Sequence, residues 1–166
     1  MADKRRVLLA LAAIFVACAA GRSLPFVTEE EEKALLDFHN ARRACHDAPP
    51  LVWDAALVAS AQKWAAACVF AHSRAGENLC RGYETFGACV RAWYAEARAH
   101  AAGANYHYSP ATGHFTQMVW RGTSKLGCGV RYDCPGGPLM VCHYDPPGNV
   151  VGRFTANVAM NIICNK

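Results

Sequence analysis

The sequence predicts an α+β domain, because helical patterns fill its first part and strand patterns its second part. Up to about residue 99, apolar residues recur three or four positions apart, as on one face of a helix. After residue 113, short runs rich in β-branched and aromatic residues are separated by turns. Strands and helices do not alternate regularly, which argues against a parallel α/β sheet.

The N-terminal segment, residues 1–23, is predicted to be a secretory signal peptide. Basic residues at positions 4–6 precede an apolar run over residues 7–20, which contains small residues near its end. The run is too short to span a bilayer comfortably, so no stable membrane anchor is expected. We therefore expect a secreted or vacuolar protein with a single domain over residues 24–166.

The charge of the chain gives no reason to expect a nucleic-acid partner. Without the signal peptide, Lys+Arg falls from 17 to 13 and Asp+Glu from 13 to 12, so the net charge falls from +4 to +1. A nucleic-acid-binding domain usually carries a strong positive patch. The remaining chain is long enough to bury a core as one domain, and we expect a monomer.

Two helices are predicted from their capping residues. Thr28 and Glu31 form a capping box, which predicts a helix that runs to about Arg43. Asp54 is expected to cap the second helix. The apolar stripe of this second helix consists of Leu57, Ala61, Trp64 and Cys68.

A third helix is predicted over about residues 84–99, with Glu96 at the edge of its buried face. Three strands are predicted after it, and their ranges are 115–120, 126–132 and 139–144. The last two of these strands are expected to form a hairpin tied by neighbouring cysteines, and a final strand is predicted near residues 157–163.

Eight cysteines lie outside the signal peptide, and an even number in a secreted chain predicts a disulfide framework. The paired C-x-x-C spacing that is typical of zinc clusters is absent from the sequence. The residues alone leave the connectivity open. These cysteines are Cys45, Cys68, Cys80, Cys89, Cys128, Cys134, Cys142 and Cys164.

The candidate site consists of His72, Glu77, Glu96 and His114. Two imidazoles and two carboxylates are suited to a divalent metal ion or to proton transfer. Gly76 allows the backbone next to Glu77 to approach a cleft closely. Two alternatives stay open, since each histidine can be a structural residue and Glu77 can be a solvent-facing loop charge.

Two long motifs resemble the signatures of the CAP superfamily, the cysteine-rich secretory, antigen 5 and pathogenesis-related class 1 proteins. Residues 113–123 (GHFTQMVWRGT) resemble the first signature, and residues 139–150 (LMVCHYDPPGNV) resemble the second. Shorter matches, in family order, are residues 39–42, 49–54 and 76–79. The pattern is most similar to the plant pathogenesis-related class 1 branch.

The resemblance implies a three-layer α-β-α sandwich with a central antiparallel sheet and a large open cleft. The family's cleft residues correspond to His72, Glu77, Glu96 and His114. It also implies that the two histidines can bind a divalent ion, with zinc favoured, while a glutamate orients a bound water or acts as a base. The further histidines His100, His107 and His143 rank below these four as metal ligands.

The family also suggests a pattern of disulfides. It implies Cys68–Cys134 and Cys128–Cys142, and we assign the remaining cysteines as Cys80–Cys89 and Cys45–Cys164. Unlike plant relatives, the chain has no cysteine pair in the loop over residues 103–113. In the family an aromatic loop here is associated with sterol binding, which makes Tyr106 and Tyr108 candidate ligand-binding residues; the alternative is a surface loop with two partly buried tyrosines.

The resemblance implies a secreted, non-enzymatic defence protein that binds a sterol or a fatty acid and acts against fungi. A second hypothesis is a metal-dependent hydrolase that uses the same four cleft residues, although no nucleophile or oxyanion-hole motif is present in the sequence. A third hypothesis is a purely structural interaction module, or the precursor of a signalling peptide that begins at Pro146.

Overall fold

A computed structural model of the chain describes residues 27–103 and 107–159. The predicted signal peptide, Tyr106 and Cys164 lie outside these ranges. Within the two ranges, every helix is too short or too polar to cross a bilayer.

Six helices and four strands make up the described part of the chain. The helices are α1 (Glu29–Ala44), α2 (Ala55–Ala66), α3 (Phe86–Ala95), α4 (Ala97–Gly103), α5 (Gly113–Met118) and α6 (Phe154–Asn157). The strands are β1 (Val52–Trp53), β2 (Glu77–Arg81), β3 (Lys125–Arg131) and β4 (Leu139–Asp145).

The four strands form one sheet in the order β1-β3-β4-β2. β4 pairs antiparallel with β3 on one side and with β2 on the other. The two-residue edge strand β1 runs parallel to β3. Helices cover both faces of the sheet, which confirms the predicted α-β-α sandwich with a mainly antiparallel sheet.

Helix α2 packs on one face of the sheet at unusually close range, because β3 presents glycines to it. A Cβ atom at Gly127 would lie 2.4 Å from the backbone nitrogen of Val58, and one at Gly129 would lie 2.4 Å from that of Gln62. The Gln62 side chain then hydrogen-bonds both the N–H and the carbonyl of Val130, at 3.0 and 2.9 Å. The helix is therefore fixed to the strand by shape and by hydrogen bonds.

The opposite face of the sheet holds the larger core, formed with α1, α3 and α5. On β3, Leu126, Cys128 and Val130 alternate with the glycines and face this core. The helical side chains that meet them include Leu35, Val90, Trp93, Phe115 and Met118.

The side chain of Arg43 is fully buried at the end of α1. Its guanidinium donates to the carbonyls of Pro49, Met118, Trp120 and Thr123, at 2.7 to 3.0 Å. Burial lowers its pKa to about 10, so the group stays charged at neutral pH. One cation therefore ties α1 to the segment between α5 and β3 through backbone acceptors.

The predictions made from local signals are confirmed. Thr28 and Glu31 form the capping box of α1, and Asp54 accepts hydrogen bonds from the first backbone N–H groups of α2 at 3.0 Å. The predicted hairpin is β3–β4, tied by the disulfide Cys128–Cys142.

Three secondary-structure predictions were wrong in part. Residues 113–118 form helix α5, whereas a strand was predicted over 115–120. Every residue from Phe115 to Trp120 is buried, so this segment has no exposed face whose period would distinguish a helix from a strand.

The predicted third helix is divided into α3 and α4 at Glu96. Helix α6 ends at Asn157 where a final strand was predicted to begin, and residues 160–163 lie outside the described ranges.

The disulfides agree with the predicted pairing wherever both cysteines are described. The structure contains Cys68–Cys134, Cys80–Cys89 and Cys128–Cys142. Cys45 is also disulfide-bonded, while its predicted partner Cys164 lies outside the described ranges.

Candidate functional site

An open groove of about 330 Å³ brings three of the four predicted site residues together, and these are His72, Glu77 and His114. Glu96 lies next to this groove as the hydrogen-bond partner of His114. Most of the other lining side chains are polar. The lining also includes Arg74, Asn78, Tyr108, Gln117 and Asn149.

The first half of the site is formed by the loop after α2 and by the start of β2. Trp64 donates to the carbonyl of Ala71 at 2.9 Å, which fixes the loop next to His72. Gly76 adopts a φ of +72°, and a Cβ atom there would lie 2.7 Å from the Tyr144 carbonyl oxygen. The glycine thus lets this backbone pack closely against the end of β4, next to Glu77 at the first position of β2.

The Glu77 side chain is 0% exposed and fully engaged by hydrogen bonds, whereas the His72 side chain is 59% exposed. Oε1 of Glu77 accepts from the Ser73 N–H at 2.8 Å and faces Nδ1 of His72 at 3.1 Å. Oε2 lies 2.5 Å from the Ser73 hydroxyl and 2.8 Å from Nε2 of His143. Burial alone would raise the pKa of Glu77, but the hydrogen bonds from His143 and Ser73 outweigh it and lower that pKa. The carboxylate is therefore ionised at neutral pH.

The second half of the site is formed by Glu96 and the first turn of α5. Oε1 of Glu96 lies 2.7 Å from Nδ1 of His114, and Oε2 accepts from the N–H groups of His114 and Phe115 at 3.0 and 3.1 Å. Thr112, the residue at the N-cap of α5, makes no side-chain capping bond. Glu96 therefore caps the helix that carries His114 and orients its ring. The His114 ring also stacks on Trp93, with ring centroids 5.7 Å apart.

A buried chain of hydrogen bonds leads from the site into the core. Asn78 donates to the carbonyl of His114 at 3.1 Å and to the hydroxyl of Tyr144 at 3.3 Å. The Tyr144 hydroxyl lies 2.9 Å from Nε2 of His39, whose Nδ1 lies 2.7 Å from the Leu35 carbonyl. The position of His114 is thus linked to the packing of α1.

Both cleft imidazoles are held in the same way, through Nδ1 and a carboxylate. Because an ionised carboxylate only accepts hydrogen bonds, each ring carries its proton on Nδ1 when it is neutral. The lone pair on Nε2 is then available to a metal ion, and a carboxylate behind a histidine is the usual outer partner of a metal-binding imidazole. Within the described residues, no set of three or more His, Cys, Asp and Glu side chains is arranged to hold a metal ion. A metal ion held here would have His72 and His114 as its protein ligands, with water or a bound molecule in the remaining positions.

The remaining candidate residues occupy different positions. Tyr108 is 51% exposed and lies at the groove, while Tyr106 is outside the described ranges. His107 is exposed, and His100 is buried against Phe115. His143 is buried and lies behind Glu77.

Sequence reasoning missed several residues that shape the groove. Ser73 gives Glu77 two hydrogen bonds, and Asn149 links α5 to the loop after β4 by donating to the Gly113 carbonyl at 2.9 Å. The oxygen of the Gln117 side chain accepts from the Gly148 N–H at 2.8 Å. The position of Ser73 next to His72 was the signal for its role, whereas nothing in the sequence indicated the contact of Asn149 with Gly113 or that of Gln117 with Gly148.

Comparison with known proteins gives a consistent result. The model of the cysteine-rich secretory protein family, CAP, matches residues 36–144. Secreted protein RBT4 of Candida albicans is 44% identical over 127 residues, which cover 71% of this chain and 35% of that protein. Pathogenesis-related protein 1C of Nicotiana tabacum is 38% identical over 136 residues, which cover 75% of this chain and 80% of that protein. The chain spans 35 to 40% of the length of three fungal relatives, RBT4 among them.

A solved structure described as NaASP2 with Zn²⁺ is also similar. It has a TM-score of 0.65 and 27% sequence identity, and the match covers 82% of this chain and 88% of that chain. Its fold, the family match and the two signatures agree. The chain belongs to the cysteine-rich secretory protein (CAP) family.

Proposed function

We propose that this chain is a secreted, defence-type CAP protein whose cleft binds a divalent cation, with zinc favoured, through His72 and His114. The observation that carries the proposal is the hydrogen bond from Nδ1 of each ring to a carboxylate, at 3.1 Å for His72 and 2.7 Å for His114. This bond selects the tautomer whose Nε2 can bind a metal ion. The similar NaASP2 structure is described with Zn²⁺, and the relative RBT4 is named a secreted protein.

A bound divalent cation would supply a Lewis-acidic centre with positions open to water or to an anionic group of a ligand. The chain's own residues fix the two imidazoles, and the hydrogen bonds from His143 and Ser73 keep the Glu77 carboxylate charged behind His72. Glu77 accepts four hydrogen bonds, which fill the acceptor sites of its carboxylate, whereas Glu96 accepts three. This occupation gives less support to a hydrolase with Glu77 as the base, because a general base needs a free lone pair near the water.

Zinc titration by calorimetry tests the cation site. We expect wild-type protein to bind zinc, and the double variant His72→Ala/His114→Ala to lose this binding. His107→Ala is the matched control, because His107 is exposed and lies outside the groove lining. Absence of zinc binding to folded wild-type protein would disprove the site, and zinc-dependent turnover of a peptide or ester would favour the hydrolase.

A second proposed activity is the binding of a fatty acid or a sterol, as a basis for antifungal action. Its support is a groove of about 150 Å³ between α1 and α3, whose apolar lining includes Leu35, Phe38, Phe86 and Val90. Arg91 also lines this groove and can pair with a carboxylate head group. The polar cleft with Tyr108 is less suited to an apolar molecule.

Binding of a fluorescent fatty acid and of labelled sterol distinguishes the two ligand classes. Ala34 lines the groove and is exposed, so Ala34→Trp is expected to fill the groove and to reduce binding by about tenfold or more. Ala41→Trp on the exposed face of α1 is the control and should bind like wild type. Equal binding by both variants would show that the lipid does not occupy this groove.

A further inference from the structure

We infer that His143 is a positioning residue for the His72 side of the cleft, an inference that rests on the proposed cation site. His143 lies on β4 directly opposite Glu77 on β2, in antiparallel register. Side chains at opposed positions of paired strands share one face of the sheet. Nε2 of His143 is 2.8 Å from Oε2 of Glu77, and His143 is only 1% exposed.

The ring of His143 has one hydrogen-bond partner within the described residues, and this partner is Glu77. Its Nδ1 is buried and has no hydrogen-bond partner there, so the contact with Glu77 is its only polar side-chain contact in that part of the chain. Because the ionised carboxylate accepts, Nε2 of His143 carries the proton and donates it. A neutral ring of this tautomer leaves only a lone pair on the buried Nδ1.

The hydrogen bond that His143 donates determines which oxygen of Glu77 is left to contact His72. Oε2 is occupied by His143 and by the Ser73 hydroxyl, which leaves Oε1 to face Nδ1 of His72. Removal of His143 takes a donor from a fully buried carboxylate, and such a group rotates or changes partners to recover a hydrogen bond. The proton on Nδ1 of His72 then loses its fixed acceptor, and the lone pair on Nε2 is no longer reserved for the cation.

The other side of the cleft has a different support. Glu96 is held by backbone N–H groups of α5, and among the described residues the only imidazole that contacts it is that of His114. His114 therefore serves as an internal reference, because loss of His143 should leave its ring unchanged.

The test uses two substitutions of His143 in the full secreted protein. His143→Leu removes the donor, while His143→Gln keeps a side-chain N–H that can reach Glu77. We expect His143→Leu to weaken zinc binding by about tenfold or more, the usual effect of losing an outer hydrogen-bond partner. His143→Gln should restore most of the affinity. Ring ¹⁵N spectra of the metal-free protein should show that His72 loses its Nδ1–H tautomer in His143→Leu while His114 does not.

The outcomes separate the inference from the proposed cation site. If wild type binds no zinc, the cation site is wrong, and the ¹⁵N spectra of metal-free protein still decide the role of His143. Unchanged His72 signals and unchanged zinc affinity in His143→Leu would overturn the inference. Equal loss in both variants would also overturn it, because it would point to the shape of the ring. If His143→Leu does not fold, His143→Phe takes its place, because it keeps an aromatic ring without a donor, and it should shift the same His72 signals.

Discussion

Glu96 and His114 are joined twice, once through the backbone N–H of His114 at 3.0 Å and once through its ring Nδ1 at 2.7 Å. The Glu96 carboxylate therefore caps the N-terminus of α5, and it also sets the tautomer of the His114 imidazole in the cleft. The two tasks use different oxygens, Oε2 for the backbone and Oε1 for the ring. Substitutions that change the two oxygens differently can therefore separate the effect on stability from the effect on cation binding.

Glu96→Gln is expected to keep the stability of the fold and to weaken cation binding. The amide oxygen can still accept from the backbone of α5, but the NH₂ group then faces Nδ1 of His114 and forces it to become an acceptor. The proton moves to Nε2, which removes the lone pair that would bind the cation. We expect zinc affinity to fall by about tenfold or more, measured by calorimetry.

In the companion variant, Glu96→Ala, both the cap of α5 and the hydrogen bond to the His114 ring should be lost. Without the capping carboxylate, the free energy of unfolding is expected to fall by about 1–2 kcal/mol. Equal zinc affinity in wild type and Glu96→Gln would contradict the tautomer argument, and equal stability of wild type and Glu96→Ala would contradict the capping role.

The parts of the fold that could be predicted from sequence are those whose causes lie within a few residues. The two residues of the capping box, Thr28 and Glu31, are three positions apart. The Asp54 side chain accepts from the backbone of the residues two and three positions after it. Helix α5 could not be predicted this way, because its last four residues are all buried and its cap, Glu96, lies 18 positions upstream of His114. Local patterns do not contain that contact.

The candidate site, too, could be predicted only in part from the sequence. The residue types and the family resemblance together indicated His72, Glu77, Glu96 and His114, and the structure pairs them as His72 with Glu77 and His114 with Glu96. The contribution of His143 to Glu77 was not predicted, because 66 residues separate the two and only the strand register brings them together. Metal ligation by the four residues stays a prediction.

Arg43→Met is expected to lower the free energy of unfolding by at least about 3 kcal/mol. The variant leaves the four carbonyl oxygens that Arg43 now satisfies without a donor in a buried place, and each such loss is costly. Urea denaturation followed by circular dichroism measures the effect. Arg43→Lys should be intermediate, since a lysine keeps the charge but cannot reach all four carbonyls. A loss of less than about 1 kcal/mol in Arg43→Met would show that the carbonyls find other partners.

Gly129→Ala is expected to destabilise the sandwich by about 3 kcal/mol or more. The added Cβ would lie 2.4 Å from the backbone nitrogen of Gln62, so α2 would have to move away from β3. Gly87→Ala is the matched control, because its Cβ would meet only the flexible end of Arg91, at 3.1 Å. Alanine in α3 should leave stability unchanged or raise it by up to about 1 kcal/mol. Thermal unfolding of the two variants side by side measures the difference, and similar melting temperatures would contradict the close packing of α2.

The stability of the protein should fall as the pH falls from about 6.5 to about 4, in part because of His39. Burial lowers the pKa of His39 from 6.5 to about 4, although the hydrogen bond to the Leu35 carbonyl acts in the opposite direction. The unfolded chain therefore binds a proton at a higher pH than the folded chain does. The contribution of His39 is fully present above pH 6.5 and is lost as the pH falls through the folded-state pKa, and it amounts to about 3 kcal/mol. Burial lowers the pKa of His46 and His100 as well, which adds to the effect in the same direction.

Urea midpoints between pH 7 and pH 4.5 measure this dependence, and His39→Gln isolates the part that belongs to His39. The variant has no group that titrates in this range at that position, so its stability should fall less steeply with acid than that of wild type, even if it starts lower at pH 7. The comparison of slopes is what decides, because the carboxylates and the other buried histidines titrate alike in both proteins. Parallel pH profiles would mean that His39 is protonated equally easily in the folded and unfolded chains. In that case the buried chain from His39 through Tyr144 to Asn78 would not hold the ring in its neutral form.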